Sequence, residues 1–310
     1  MLIAIFMREL DPLNDFAFLK CMGENGDEEQ LLSFINAILE NRNKIIIENR
    51  IQNISMAEIL DNVDINENTK LSAEKLKDKY CILDIRSKTD NKEIIIEAQR
   101  QNTGEMIKRS LFYACNIYRR LIKEGQNYQK LPEVIAINLI DYKMKNNDNI
   151  HTFYRLIDIP SIKTCTPKFL EGIEIHFISM QNFKKIKNKN INNFLHQWLI
   201  YFDKNTTPKL LNKVIKMNKT IGKTQKKLDL ISMNDEDYRM YEMREMAHYD
   251  EITLKHTATQ KGIEIGRKEG MEKGIEKEKI EIANNMKKAN LPLKEINKFT
   301  KLPIEKIEKL

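Results

Sequence analysis

Between Asp27 and Asn41 apolar residues recur at helical spacing, and Leu31, Leu32, Phe34, Ile35, Ile38 and Leu39 share one face. The spacing predicts a helix with one buried side. Ahead of it, Asp11-Pro12-Leu13-Asn14-Asp15 has turn chemistry and leads into a shorter helix. Ile45 to Ile59 reads as extended, and Asp61 to Asp78 as a polar stretch. From Tyr80 to Arg100 the pattern changes. Cys81 to Arg86 and Glu93 to Gln99 read as two strands, and Thr89-Asp90-Asn91-Lys92 supplies the turn of a hairpin. A second long helix is predicted over Gly104 to Glu124, with an apolar stripe through Met106, Leu111, Ala114, Ile117 and Leu121 and Gly125 as its stop. Glu133 to Ile140 is a short apolar run, consistent with a buried strand, and His151 to Asp158 and Ile173 to Met180 are further strand candidates. Helix, hairpin, helix, strand is the order of a mixed α/β layer fold.

After Ser179 the strand pattern stops. Asn192 to about Met286 reads as helical, with breaks near Pro208 and Gly222. Trp198 and Phe202 share a helical face and are expected in the core. His151 and His176 read as ordinary structural residues, and His196, His248 and His256 as surface ones. Gly262, Gly266, Gly270 and Gly274 then fall four apart among many Glu and Lys. Glycine inside a helix costs about 1 kcal/mol relative to alanine. Two explanations stand: a surface for close approach of another helix, as in a homodimer, or a frayed charged helix. Ala283 to Lys288, Leu293 to Phe299 and Ile304 to Leu310 read as short helices, which suit either a helix-turn-helix or a helical cap. The chain therefore divides into an α/β core over 1–182, a basic helical region over 183–260, and a glycine-spaced helix with a short helical tail over 261–310.

Composition adds three points. The 310 residues are 41% hydrophobic and 31% charged, enough for a real core. No run approaches the roughly 20 apolar residues of a membrane span, and the opening MLIAIF is too short for a signal peptide, with Met7 a second candidate start. Cys21, Cys81, Cys115 and Cys165 form no CxxC pair, which fits a reducing cytoplasm better than a disulfide scaffold. The net charge is +7, yet Lys184 to Leu230 alone carries +10. Such a segment is either a polyanion-binding surface or a solvated face. Phosphate-binding loops, dinucleotide fingerprints, HExxH and GxSxG are all missing from the sequence, so no nucleotide cofactor and no serine-nucleophile chemistry is expected.

The hairpin carries the chemistry. Residues two apart on a strand share a face, so Glu97 and Gln99 belong together, and a tight hairpin brings Asp84 opposite them. Two carboxylates within an Ile-rich sheet are expensive to bury alone. A divalent ion such as Mg²⁺ takes oxygen ligands, and the Ala98 carbonyl could add one. Such an ion polarises a phosphoryl oxygen and acidifies water. The alternative is an exposed carboxylate pair balanced by Arg86, Lys88 or Arg100.

Asp84 followed by Glu97-Ala98-Gln99 resembles the PD-(D/E)XK nuclease signature in its E-x-Q variant. The flanking segments resemble the Rpn family of recombination-promoting nucleases and transposases within that superfamily. They are Leu10 to Phe18 (LDPLNDFAF), Ile82 to Arg86 (ILDIR), Lys108 to Tyr118 (KRSLFYACNIY), Gly125 to Tyr128 (GQNY) and Leu131 to Ile137 (LPEVIAI). The glycine-spaced helix and short tail also resemble the family's ending.

The resemblance implies a restriction-endonuclease-like αβββαβ core followed by a helical C-terminal region. It implies metal-dependent hydrolysis of DNA phosphodiesters, linked to recombination or mobile elements, with Mg²⁺ (or Mn²⁺ or Ca²⁺) as cofactor and DNA as partner. Asp84 and Glu97 would ligate the metal, and Gln99 would replace the usual catalytic lysine. Asp15 is either a further acidic site residue or a residue satisfying helix amides. Arg109 and Tyr113, one helical turn apart, could face a phosphate, or Arg109 could pair with Glu105. Lys108 or Arg100 could supply the charge that Gln99 lacks. The other function class consistent with Gln99 is a DNA-binding or assembly protein whose nuclease core has decayed.

Overall fold

The computed structural model describes residues 9–48, 60–65, 84–89, 91–102, 104–122, 125, 127–159, 161 and 169–310. Its compact units are Met1–Glu245 and Met246–Leu310.

The first unit opens with α1 (Asp15–Met22) and α2 (Glu28–Glu48). Asn14 caps α1, its side-chain oxygen accepting from the Phe16 and Ala17 amides at 3.0 and 3.2 Å, as a helix N-terminus requires. α2 continues through Ile45 to Glu48, where an extended chain was expected, and the rest of that stretch lies outside the described residues. Asn41 and Arg42, just before the β-branched run, are held by β-strand side chains (below). Tertiary anchoring of this kind overrides the weak helix propensity of Ile.

Six strands make one sheet in the order β1-β2-β3-β4-β6-β5. They are β1 (Asp64–Ile65), β2 (Asp84–Lys88), β3 (Lys92–Gln99), β4 (Glu133–Ile140), β5 (His151–Ile157) and β6 (Phe169–Ser179). β2 and β3 form the expected hairpin, closed where the Thr89 amide donates to the Lys92 carbonyl at 2.9 Å. Cys81 to Leu83 and Asp90 lie outside the described residues. β3 and β4 are parallel, joined by α3 (Met106–Arg120), as are β4 and β6. α3 starts two residues later than Gly104, because Glu105 is in the left-handed region at φ 34°, and it ends before Gly125. α2-β1-β2-β3-α3-β4 follows the αβββαβ order.

Strand alternation assigns the two faces. Ile94, Ile96, Ile135, Ile137 and Leu139 turn into the larger core with α1, α2 and α5 (Phe194–Phe202). Trp198 and Phe202 lie at its centre, fully buried and stacked at 5.7 Å. Ile95, Val134, Ala136, Ile175 and Phe177 turn the other way, against Met106 and Ala114 of α3. β6 passes into the short α4 (Met180–Lys184). Next to α5, α6 (Pro208–Met217) and α7 (Lys219–Met233) follow. The break expected at Gly222 falls instead at Asn218, whose side chain caps α7. Gly222 lies inside α7, where a Cβ would sit 3.4 Å from the Ile215 carbonyl of α6, an ordinary contact distance. His196 is half-buried rather than on the surface: its Nδ1 accepts from the Asn190 amide and its ring packs on Phe183 at 5.2 Å.

A buried ionic cluster ties α2 to the far strands. Glu174 accepts from Arg42 at 2.5 Å and pairs with Arg155 at 3.2 Å and His176 at 3.0 Å. His176 Nδ1 lies 2.9 Å from His151 Nε2, and His151 Nδ1 lies 3.0 Å from the Asn41 amide. Burial alone would raise the Glu174 carboxyl, but His176, Arg42 and Arg155 outweigh it and hold it at about 2.

α8 (Asp235–Lys288) begins in the first unit and ends in the second. In the second unit Ala283, Ile296, Leu302 and Ile307 form a small core between the end of α8, α9 (Leu293–Thr300) and α10 (Ile304–Glu308). A Cβ added at Gly262, Gly266, Gly270 or Gly274 would meet nothing within 4 Å. Among the described residues no helix is long and apolar enough to cross a membrane.

Candidate active site

The hairpin register places Asp84 directly across from Glu97. Opposite positions in an antiparallel pair belong to one face of the sheet. On the other side of β3, Glu97 pairs with Asn138 of β4. The side chain of Asp84 lies outside the described set. Glu97 and Asn138 share the face that α3 covers.

Glu97 is 6% exposed. Its Oε1 accepts from Arg109 Nη2 of α3 at 3.0 Å. Burial pushes its carboxyl above the usual range, Arg109 pulls it down, and the Asp15 carboxylate pushes it up again. Arg109 thus pairs with Glu97, and its guanidinium also lies over the Tyr113 ring, 5.5 Å from the centroid. Glu105 is the partner of exposed Lys108, at 3.2 Å. Asn138 donates to Ser110 Oγ at 2.9 Å and to the His176 carbonyl at 3.0 Å, which fixes α3 on the sheet beside the carboxylate.

Gln99 donates from Nε2 to the Gln101 carbonyl at 3.1 Å. This bond aims the amide and leaves its oxygen as the acceptor end. Asn14 provides the side-chain cap of α1, a job the sequence left open for Asp15. Asp15 lies within electrostatic reach of Glu97 and Arg100.

Arg100 turns away from this group. It forms a bidentate pair with Glu245 of α8 and a second pair with Asp11 at 3.3 Å. Asn14 Nδ2 also donates to Glu245, at 2.8 Å, and the Asp11 amide donates to the Tyr241 hydroxyl at 2.8 Å. The start of α8 therefore clamps the entry to α1 against the end of β3. Neither Glu245 nor Tyr241 was marked by sequence spacing, which cannot bring together residues 145 positions apart.

Among the described residues no three His, Cys, Asp or Glu side chains converge as a metal cluster. The surroundings of Glu97 nonetheless favour a cation. A buried carboxylate that one arginine does not fully offset, with a second carboxylate close enough to disfavour its charge, is short of positive charge.

The sequence matches a family model described as PD-(D/E)XK nuclease family transposase over residues 12–258. No curated protein and no solved structure matches it.

Proposed function

The chain belongs to the PD-(D/E)XK nuclease family transposases, and from that premise we propose that it is a divalent-metal-dependent endonuclease that hydrolyses DNA phosphodiester bonds. The observation that carries this reading is the pairing of Asp84 with Glu97 across the hairpin, with Glu97 buried against Arg109.

Asp84, Glu97 and the Ala98 carbonyl are the groups that would hold the ion, with Asp15 a further carboxylate nearby. When bound, Mg²⁺ or Mn²⁺ supplies polarisation of the phosphate and acidification of water. The remaining work falls to the chain. The Gln99 oxygen accepts a hydrogen bond from the attacking water and orients it. It carries no charge, so Arg109 takes over the electrostatic role of the missing lysine. With Asp84 and Glu97 holding an ion, the Arg109 guanidinium, which lies over Tyr113, would face a phosphate oxygen. Arg100, engaged with Glu245 and Asp11, positions the α1 entry rather than binding DNA. Lys108, exposed on α3, adds a backbone contact.

The family assignment implies DNA as the substrate. We place recombination or mobile-element processing in the cytoplasm as its setting and a second copy, joined through the glycine-spaced helix, as its partner. The exposed lysines Lys209, Lys213 and Lys216 of α6 are proposed to track the phosphate backbone. Replacing all three with alanine lowers duplex affinity and flattens the log–log salt dependence by about 0.9 per lost phosphate contact. Fluorescence anisotropy from 50 to 200 mM salt checks this. An unchanged slope assigns these lysines to solvent.

One observation favours a second reading. Gln99 stands where the signature has lysine, and Arg109 is already engaged by Glu97. That combination suits a DNA-binding or assembly protein with a weak or silent nuclease core. Calorimetry separates the two. The nuclease reading predicts Mg²⁺ or Mn²⁺ binding that disappears in Glu97→Ala. DNA retention without metal binding supports the second.

A further inference from the structure

Tyr142 lies two residues beyond β4. The Asp141 amide donates to the Gln99 carbonyl at 3.0 Å, so the chain leaves the sheet beside the end of β3. The Tyr142 ring packs on the α3 side of the sheet, against the cluster that contains Ile95, Met106 and Ile140. Its hydroxyl is buried and has no hydrogen-bond partner among the described residues. Native proteins rarely leave such a group unpaired, because doing so costs about 1–3 kcal/mol. The charges that act on this hydroxyl are those of Glu97 and Arg109, and the Glu97 Oε1 is already taken by Arg109.

We propose that Tyr142 is a substrate-contacting residue of this site, its hydroxyl donating a hydrogen bond to a non-bridging oxygen of the DNA phosphodiester. The inference rests on the nuclease reading above. A phosphodiester oxygen is a permanent anionic acceptor, and it would satisfy the orphan hydroxyl beside the Arg109 guanidinium. A phenol, with an ordinary value of about 10, keeps its proton and its role as donor throughout the neutral range. An aromatic ring fixed by packing holds that donor in place before DNA arrives, which is the condition for electrostatic stabilisation.

The test is Tyr142→Phe in the full-length chain. Plasmid nicking with Mg²⁺ or Mn²⁺ slows by about 10-fold or more at saturating DNA, within the reach of a single lost donor. The thermal midpoint stays level or rises, because an unpaired buried hydroxyl has been removed. A hydroxyl with a merely structural role would give the opposite pair: unchanged nicking and a lower midpoint. Equal nicking by both proteins overturns the inference and leaves the nuclease reading standing. If the wild type does not cut, the nuclease reading fails, and binding of a labelled duplex in Ca²⁺ decides the inference alone. Weaker binding by the variant supports the contact, whereas equal binding, or no binding by the wild type, overturns it.

Discussion

Arg42→Ala lowers the stability of the fold by about 3–5 kcal/mol, the cost of removing one partner from a buried ion cluster. Arg42 and Glu174 side chains are 1% and 4% exposed, so water cannot replace the lost guanidinium. Arg155 and His176 still face the carboxylate, which places the effect toward the lower end. In a chain of this size it shifts the midpoint by roughly 10 °C. A pH dependence accompanies it. Glu174 sits at about 2 in the fold, against an ordinary 4.5. A depressed carboxyl contributes stability that is complete above the unfolded value and is lost as pH falls through the folded one. The wild type therefore loses this contribution between about pH 4.5 and 2, and Arg42→Ala shows a shallower acid limb. Calorimetric melts from pH 7 to 3 check both. A midpoint within a degree of wild type would mean that the cluster does not hold α2 to the sheet.

The other large effect is on chemistry. Asp84→Ala and Glu97→Ala each reduce DNA cleavage by at least about 10²–10³-fold, the scale of losing one well-placed electrostatic group. Glu97→Ala should not unfold the protein. Its carboxyl is raised by burial, so at neutral pH its charge opposes folding, and that penalty disappears with the side chain. The change also removes the Glu97 partner of Arg109, whose side chain is 22% exposed and so is within reach of water. Turnover measured on protein whose midpoint is retained separates this outcome from simple unfolding. Wild-type rates in either variant would remove the carboxylates from the mechanism.

Much of this fold is legible in the chain. β4 spans Glu133–Ile140, the same bounds as its mostly apolar run, because a strand buried on both faces reads as a near-continuous apolar segment. The hairpin and its register follow from turn chemistry and a period of two, and they bring Asp84 to Glu97. The failures share one physical source. Ile45 to Glu48 has β-branched composition, yet the helix continues there, since Asn41 and Arg42 are tied to His151 and Glu174 more than 100 residues later. Arg109 has an acid one turn away, but its partner lies on β3. Arg100 follows the signature directly, and the fold aims it at Glu245 of α8. Helical and strand periods describe neighbours along one element. They are silent on which side chain answers another across the core, and Tyr142 is visible only once β3, β4 and α3 are in place.

The measurement closest to the central claim is plasmid nicking by the purified wild type with Mg²⁺, Mn²⁺, Ca²⁺ or EDTA, run beside Asp84→Ala/Glu97→Ala. The account predicts cutting in Mg²⁺ or Mn²⁺, none in EDTA, and none by the double variant under any condition. Cutting by the double variant at the wild-type rate, or no cutting by the wild type in any metal while it still binds DNA, would contradict it.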